Sequence, residues 1–187
     1  MTTAAALSRR ATTTTTAGGH ARALRIWQPD AMAQSLALAA SGARFPARRC
    51  ADEVLPGLWL GDARAAGDRA LLSRLGVRRV VQALPGRPPF VGEREYLVVP
   101  AADEPSFDMR PHLEAARRFV DESLARRWPV LVHCHAGISR SATLVAYFLM
   151  RRFGWSAERA VAFVRSRRPV VRPNPGFAAQ LRAAERP

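Results

Sequence analysis

From residue 53 onward the chain alternates between short apolar runs and longer stretches in which apolar residues recur every three to four positions. Short runs rich in Val and Leu and bounded by Gly or Pro predict buried strands at 54–60, where Pro56-Gly57 divides the run into two, and at 77–84, 96–99 and 129–132. The longer spacing predicts helices over about 62–75, 108–125, 140–153, 156–166 and from 175 onward. This alternation predicts an α/β fold with a central, mainly parallel sheet of four to five strands flanked by helices.

Boundary residues support most of these helices. Asp108 is the predicted N-cap of the helix that runs to about Ala125, and Ser156 and Asn174 are the predicted N-caps of the last two helices. Gly154 predicts the end of the helix over 140–153, because glycine readily adopts the left-handed conformation found after a helix C-terminus. That helix is strongly apolar, and we expect it to lie at the centre of the core.

Residues 1–49 differ in composition from the rest of the chain, because they contain seven Thr and seven Arg but a single acidic residue, Asp30. Such a composition is typical of mitochondrial and chloroplast transit peptides, and it is equally compatible with a disordered tail of low complexity. We therefore predict a disordered or transit-peptide-like extension over 1–49 and one compact domain over 50–187. The expected location is intracellular: cytoplasmic, or mitochondrial or plastid if the extension is a transit peptide.

The formal charge of +14 indicates anionic partners, which include phosphorylated molecules, nucleic acids and anionic membrane surfaces. All 29 basic residues are arginine, and no zinc-finger, homeodomain or RNA-binding motif accompanies them, so we expect no specific nucleic-acid partner. The longest uncharged stretch, 31–43, is too short to cross a bilayer, and no transmembrane segment is expected. The sequence carries no signal for an oligomeric state.

Two cysteines, Cys50 and Cys134, are too few for a disulfide framework or a cysteine metal cluster. A cysteine in an apolar strand is usually a small buried hydrophobe. Cys134 stands in a different context, because a strand precedes it, Gly137 follows it, and a helix begins near Arg140. Coincidence does not explain this combination, which indicates a catalytic thiol that works in a reducing compartment.

The segment between Cys134 and the following helix has the parts of an anion-binding loop. A sharp turn lets the intervening backbone amides point inward, where the helix N-terminus adds partial positive charge. Gly137 permits backbone angles that other residues avoid, and the guanidinium of Arg140 matches two phosphate oxygens at once. The predicted phosphate-binding residues are His135, Ala136, Gly137, Ile138, Ser139 and Arg140.

The same positive environment is expected to favour the thiolate of Cys134, which can then attack phosphorus. Ser141 is placed to donate a hydrogen bond to the sulfur when the sulfur leaves again, and His133 is expected to support the cysteine backbone from the strand side. The side chain of His135 is expected to face solvent.

The segment Val132-His133-Cys134-His135-Ala136-Gly137-Ile138-Ser139-Arg140-Ser141-Ala142 resembles the signature loop of the dual-specificity protein phosphatases. Residues 58–61, 75–77 and 168–177 resemble further motifs of that family. The resemblance implies a protein-tyrosine-phosphatase-like fold, a phosphocysteine intermediate, no metal or other cofactor, and a loop aspartate that acts as general acid. It also implies a small, atypical member without a substrate-docking domain, which acts on phosphoserine, phosphothreonine and phosphotyrosine in phosphorylated proteins.

The resemblance assigns the general acid to Asp103, which follows the strand at 96–99 and precedes the cysteine by about thirty residues. Asp108 is the rival, although its predicted role as a helix cap already explains it. Asn174 lies in the last of the family motifs and is expected to support the site. The predicted catalytic residues are thus Cys134, Arg140, Asp103 and Ser141.

Two alternative functions stay open at this point. One is a phosphatase whose substrate is a non-protein phosphomonoester, such as a phosphoinositide or a phosphorylated glucan. A different class of function is a catalytically silent adaptor that binds phosphate without hydrolysing it, although all four catalytic residues are present and speak against this.

Overall fold

The computed structural model describes residues 49–185, and residues 1–48 and 186–187 lie outside the described part. The extension predicted over 1–49 therefore falls almost entirely outside it. Its disordered or transit-peptide character stays a prediction, as does the domain boundary at residue 50. Within residues 49–185 no helix is long and apolar enough to cross a membrane.

Five strands form one sheet: β1 (Ala51–Leu55), β2 (Leu58–Gly61), β3 (Arg79–Gln82), β4 (Glu95–Val98) and β5 (Val130–His133). Their order across the sheet is β1-β2-β5-β3-β4. The first two strands form an antiparallel hairpin around Pro56-Gly57. The other pairs of neighbours in the sheet, β2 with β5, β5 with β3 and β3 with β4, are parallel. The sheet confirms the predicted α/β class and the mainly parallel arrangement.

The helices of the described residues are α1 (Ala63–Gly67), α2 (Arg69–Arg74), α3 (Arg110–Ala125), α4 (Arg140–Phe153), α5 (Ala157–Arg167) and α6 (Pro175–Ala183). The prediction of a single helix over about 62–75 is wrong, because the chain leaves the helical conformation at Asp68 and forms two short helices, α1 and α2. The side chain of Asp68 then accepts a hydrogen bond from the amide of Leu71 and caps the second helix.

The predicted cap of α3 is displaced by one residue. Met109 occupies the N-cap position and makes no side-chain capping bond, while Asp108 accepts a hydrogen bond from the amide of Arg110 at 3.0 Å. The amide of Met109 is bound by the side chain of Gln180 instead, at 2.8 Å. The caps predicted at Ser156 and Asn174 are confirmed, because each side chain accepts a backbone amide of its own helix.

The sheet separates two apolar cores of unequal size. Neighbouring residues of a strand face opposite sides, so Val132 of β5 faces the larger core while Leu131 faces the smaller one. Every residue of α4 from Ser141 to Met150 is buried, which confirms that this helix is central. Since β5 is the middle strand and runs directly into the segment before α4, the carboxyl edge of the sheet presents that segment, as parallel sheets commonly present their sites.

Candidate active site

The segment between β5 and α4, residues 134–139, is named here the phosphate loop. The side chain of Cys134 lies at its base and the residue is only 1% exposed. Two donors point at its sulfur: the amide of Gly137 at 3.2 Å and the hydroxyl of Ser141 at 3.1 Å. Hydrogen bonds of this kind are stronger when the accepting sulfur carries negative charge, as it does when it departs from phosphorus.

The carbonyl groups of the phosphate loop are bound from outside the loop. The carbonyl of His135 accepts a hydrogen bond from the amide of Ala63 at 3.1 Å, and that of Ile138 accepts one from the amide of Arg172 at 2.9 Å. The carbonyls between them, of Ala136 and Gly137, accept from the side chain of Arg168. In a trans peptide the amide hydrogen points away from the preceding carbonyl oxygen. The amides of residues 136–139 are therefore turned inward, which is the arrangement that an anion cradle requires.

Arg168 is a functional residue that the sequence analysis did not single out. Its side chain is 1% exposed, and its guanidinium binds the carbonyls of Gly137 at 2.9 Å and Ala136 at 3.3 Å. On the other side it binds the carbonyl of Arg49 at 3.0 Å and the carboxylate of Asp52 at 2.7 Å. The only signal in the sequence was its place in the motif over 168–177, which carried no role for it.

Gly137 is required by both backbone angle and space. Its φ is +65°, in the left-handed region that favours glycine. A Cβ at this position would lie 2.6 Å from the carbonyl oxygen of Gly61 and 2.8 Å from a guanidinium nitrogen of Arg168. Any larger residue would push the phosphate loop away from β2 and from the arginine that holds it.

The segment from Ala101 to Met109, named here the acid loop, brings Asp103 to the phosphate loop. One carboxylate oxygen of Asp103 lies 3.6 Å from Nε of Arg140, and the other accepts a hydrogen bond from the side-chain amide of Asn174 at 3.0 Å. Arg140 also donates to the carbonyl of Ala101 at 3.2 Å. The structure thus gathers four of the predicted site residues, Cys134, Arg140, Asp103 and Ser141, with Asn174 beside them.

Two other carboxylates, those of Asp62 and Asp108, accept local hydrogen bonds that lower their pKa. Burial disfavours the charge of Asp62, but hydrogen bonds from Arg64 and from the amide of Ala65 outweigh it and keep the pKa of Asp62 below its usual value. The hydrogen bond from Arg110 likewise lowers the pKa of Asp108. Asp62 caps α1 and Asp108 pairs with Arg110, whereas Asp103 contacts Arg140, the predicted phosphate clamp.

The two histidines beside Cys134 have different surroundings. His133 is buried, and burial lowers its pKa to about 4, although the Cys134 backbone and Asp62 oppose this shift. Neither ring nitrogen of His133 makes a hydrogen bond of normal geometry within the described residues. The expected support of the Cys134 backbone by this side chain is therefore not a normal hydrogen bond. The side chain of His135 is exposed.

Cys50 stands apart from the nucleophile. It precedes Ala51, which pairs with Gly61, and Gly61 in turn pairs with His133, so two strand spacings separate the two cysteines across the sheet. Two spacings amount to about 10 Å, which exceeds the separation that a disulfide bond can bridge without backbone movement.

The comparisons with known proteins agree with this geometry. The family model described as the dual specificity phosphatase catalytic domain matches residues 58–187. Dual specificity protein phosphatase 26 of Rattus norvegicus is 41% identical over 145 residues, which are 73% of this chain and 67% of the relative. The MAP kinase phosphatase with leucine-rich repeats protein 3 of Dictyostelium discoideum is 38% identical over 131 residues, so this chain covers only 15% of that relative's length.

The fold agrees as well. The crystal structure of human DUSP28 superposes with a TM-score of 0.68 at 37% identity, and the match covers 76% of this chain and 97% of that one. The family motif, the relatives and the shared fold therefore point to one conclusion. This chain belongs to the dual specificity phosphatases, a family of cysteine-dependent protein tyrosine, serine and threonine phosphatases.

Proposed function

We propose that this chain hydrolyses phosphoserine, phosphothreonine and phosphotyrosine in proteins, with Cys134 as nucleophile. The observation that carries this proposal is the phosphate loop itself. Its carbonyls of residues 135–138 are bound from outside, its amides face inward, and two donors converge on the buried sulfur of Cys134. Such a loop binds a phosphate group and activates a thiolate in the same place.

Substrate binding is the task of the loop and of Arg140. The inward amides of the phosphate loop, the N-terminus of α4 and the guanidinium of Arg140 together neutralise the phosphate dianion. The side chain of Arg140 is 14% exposed, and its guanidinium contacts the carbonyl of Ala101 and the carboxylate of Asp103 beside the phosphate loop. We expect these groups to hold phosphorus in line with the sulfur of Cys134.

The chemical step is a displacement at phosphorus. The thiolate of Cys134 forms a P–S bond as the P–O bond to the leaving group breaks, and Asp103 donates a proton to the departing oxygen. Asp103 then accepts a proton from the water that attacks the phosphocysteine. As the P–S bond breaks, the hydroxyl of Ser141 stabilises the returning thiolate by the hydrogen bond seen here at 3.1 Å.

A panel of substrates tests the function. We expect the full chain to release phosphate from phosphotyrosine, phosphoserine and phosphothreonine peptides, and we expect Cys134→Ser to abolish release from all three. Equal rates for the wild type and Cys134→Ser would sink the mechanism, and an inactive wild type that still binds the peptides would favour the silent adaptor. Faster turnover of phosphoinositide or phosphorylated glucan than of every peptide would move the substrate to a non-protein phosphomonoester.

The location is proposed from the thiol chemistry. A catalytic thiolate needs a reducing compartment, which supports an intracellular protein. Fluorescent fusions with and without residues 1–49 separate the two intracellular options. Organelle signal that is lost on deletion indicates a transit peptide, and identical diffuse cytoplasmic signal indicates a cytoplasmic enzyme.

A further inference from the structure

We infer that helix α6 positions the general acid, and that Gln180 is the residue through which it does so. This inference rests on the proposed function, because it assumes that Asp103 donates the proton to the leaving group. Gln180 does not touch the substrate in this account, so it is a positioning residue rather than a catalytic one.

The carboxamide of Gln180 makes two hydrogen bonds to the far end of the acid loop. Its Nε2 donates to the carbonyl of Phe107 at 2.8 Å, and its Oε1 accepts from the amide of Met109 at 2.8 Å. These bonds span 73 and 71 residues of sequence, so they are tertiary contacts rather than features of a local turn. The second bond also satisfies the amide of Met109, the N-cap residue of α3, whose own side chain makes no capping bond.

The middle of the acid loop packs directly on the first turn of α6. A Cβ built at Gly176 would lie 1.9 Å from the carbonyl oxygen of Pro105, so the two backbones are in close contact. The ring of Phe107 meets the fully buried ring of Phe177 edge to face, with centroids 6.5 Å apart. The loop is therefore seated on α6 by backbone contact and by an aromatic pair.

The near end of the acid loop carries the carboxylate. Asn174, the N-cap of α6, donates to Asp103 at 3.0 Å, while its other side-chain atom caps the helix by accepting from the amide of Phe177 at 2.9 Å. The residues from Asp103 to Ser106 are exposed and belong to no helix or strand. None of the four residues is buried, so the position of this stretch depends on the contacts with Arg140, Asn174 and Gly176 and on the end of the loop that Gln180 holds.

A glutamine is well matched to this task, because one side chain supplies both the donor and the acceptor that the loop needs. Leucine has a similar size but removes both bonds. Glutamate keeps an acceptor for the Met109 amide but places an oxygen against the Phe107 carbonyl. A shift of the carboxylate by about 1 Å is enough to reduce its catalytic effect severalfold or more.

The test compares aryl phosphates with a poor and a good leaving group, phenyl phosphate and 2,4-dinitrophenyl phosphate, in the full chain. We expect Gln180→Leu to lower kcat/KM about tenfold for phenyl phosphate and less than about twofold for the dinitrophenyl ester, since only the poor leaving group needs the acid. In an Asp103→Asn background, Gln180→Leu should cause no further loss. Arg182→Ala, an exposed change on the same helix, should match the wild type with both substrates.

Equal losses with both substrates, or a loss that adds fully to that of Asp103→Asn, would overturn the inference, because either result means that Gln180 acts on the phosphate loop or on folding. Should Gln180→Leu fail to fold in a thermal melt, Gln180→Glu and Gly176→Ala carry the same comparison with the same expected selectivity. Failure of the proposed function looks different: Cys134→Ser would then retain wild-type hydrolysis of both esters, whatever Gln180 does.

Discussion

The phosphate loop and the acid loop are irregular segments that meet at the same site, but they are fixed in different ways. The phosphate loop lies between the middle strand and the central helix, and a buried arginine holds two of its carbonyls. The acid loop is buried at its two ends, Ala101 and Met109, but its exposed stretch 103–106 rests on α6 through a few separable contacts, and the Asp103 carboxylate is 36% exposed. The groups that handle phosphate are thus built into the core, whereas the group that handles the leaving oxygen is held at the surface.

The largest effect on kcat/KM is expected from replacing Arg168, the buried arginine that binds the carbonyls of the phosphate loop. Arg168→Met leaves the carbonyls of Ala136 and Gly137 without their donor and the carboxylate of Asp52 without its partner. We expect kcat/KM to fall about a thousandfold with good and poor leaving groups alike, because Arg168 holds in place the loop amides that donate to the developing charge, and each such donor contributes about two to three orders of magnitude. Steady-state kinetics on the two aryl phosphates measures this.

The control for that prediction concerns folding. Breaking a buried ion pair from one side costs about 3–5 kcal/mol of unfolding free energy, so urea unfolding accompanies the kinetics. Arg168→Lys keeps the charge but cannot reach four acceptors, and it should show the same loss with a smaller change in stability. A folded Arg168→Met protein with wild-type kcat/KM would contradict the claim that the phosphate loop depends on this buried arginine.

The next effect concerns the acid itself. Asp103→Asn should lower kcat/KM for phenyl phosphate about a hundredfold and leave the dinitrophenyl ester within a few fold, since general acid catalysis matters only for a poor leaving group. Asp108→Asn is the matched control, because Asp108 lies in the same loop but is bound to Arg110. If Asp108→Asn shows the selective loss instead, the acid has been assigned to the wrong carboxylate.

A smaller effect is expected from the hydroxyl that contacts the sulfur. Ser141→Ala removes one hydrogen bond to Cys134, and it should slow breakdown of the phosphocysteine about tenfold while leaving kcat/KM nearly unchanged. A stopped-flow burst of phenol followed by a slower steady state is the expected signature. Parallel losses in kcat and kcat/KM would mean that Ser141 assists attack rather than release.

The last prediction concerns stability rather than kinetics. The pKa of His133 is about 4 in the folded protein against 6.5 in the absence of structure. The unfolded chain therefore binds the proton first, and the free energy of unfolding should fall by about 2 kcal/mol between pH 7 and pH 5. Urea unfolding of the wild type and His133→Asn at both pH values measures this. Two curves that fall in parallel would show that another group is responsible.

The sequence predicted the phosphate loop well because that loop obeys local rules. Cys134, Gly137 and Arg140 are within seven positions of one another, between a strand and a helix that the apolar pattern already indicates. The pattern of apolar and polar residues does not identify the general acid, and its assignment to Asp103 came from a family resemblance. Only the structure separated it from the neighbouring rival Asp108, because Asp103 contacts Arg140 and Asn174 whereas Asp108 pairs with Arg110.

The residues that hold the loops were not predictable, because each acts over a long sequence separation. Arg168 reaches Gly137 over 31 residues and Asp52 over 116. Gln180 reaches Met109 over 71, and for the same reason the cap of α3 was placed one residue too early. Local propensity cannot foresee a helix start at which the amide of the N-cap residue is satisfied by a distant side chain.

The measurement that tests the division between the two loops most directly is the dependence of log kcat/KM on the pKa of the leaving phenol, across a series of aryl phosphates. The account predicts a shallow slope for the wild type, an equally shallow but lower line for Arg168→Lys, and a steep slope for Asp103→Asn. A steep slope for Arg168→Lys, or a shallow one for Asp103→Asn, would contradict it.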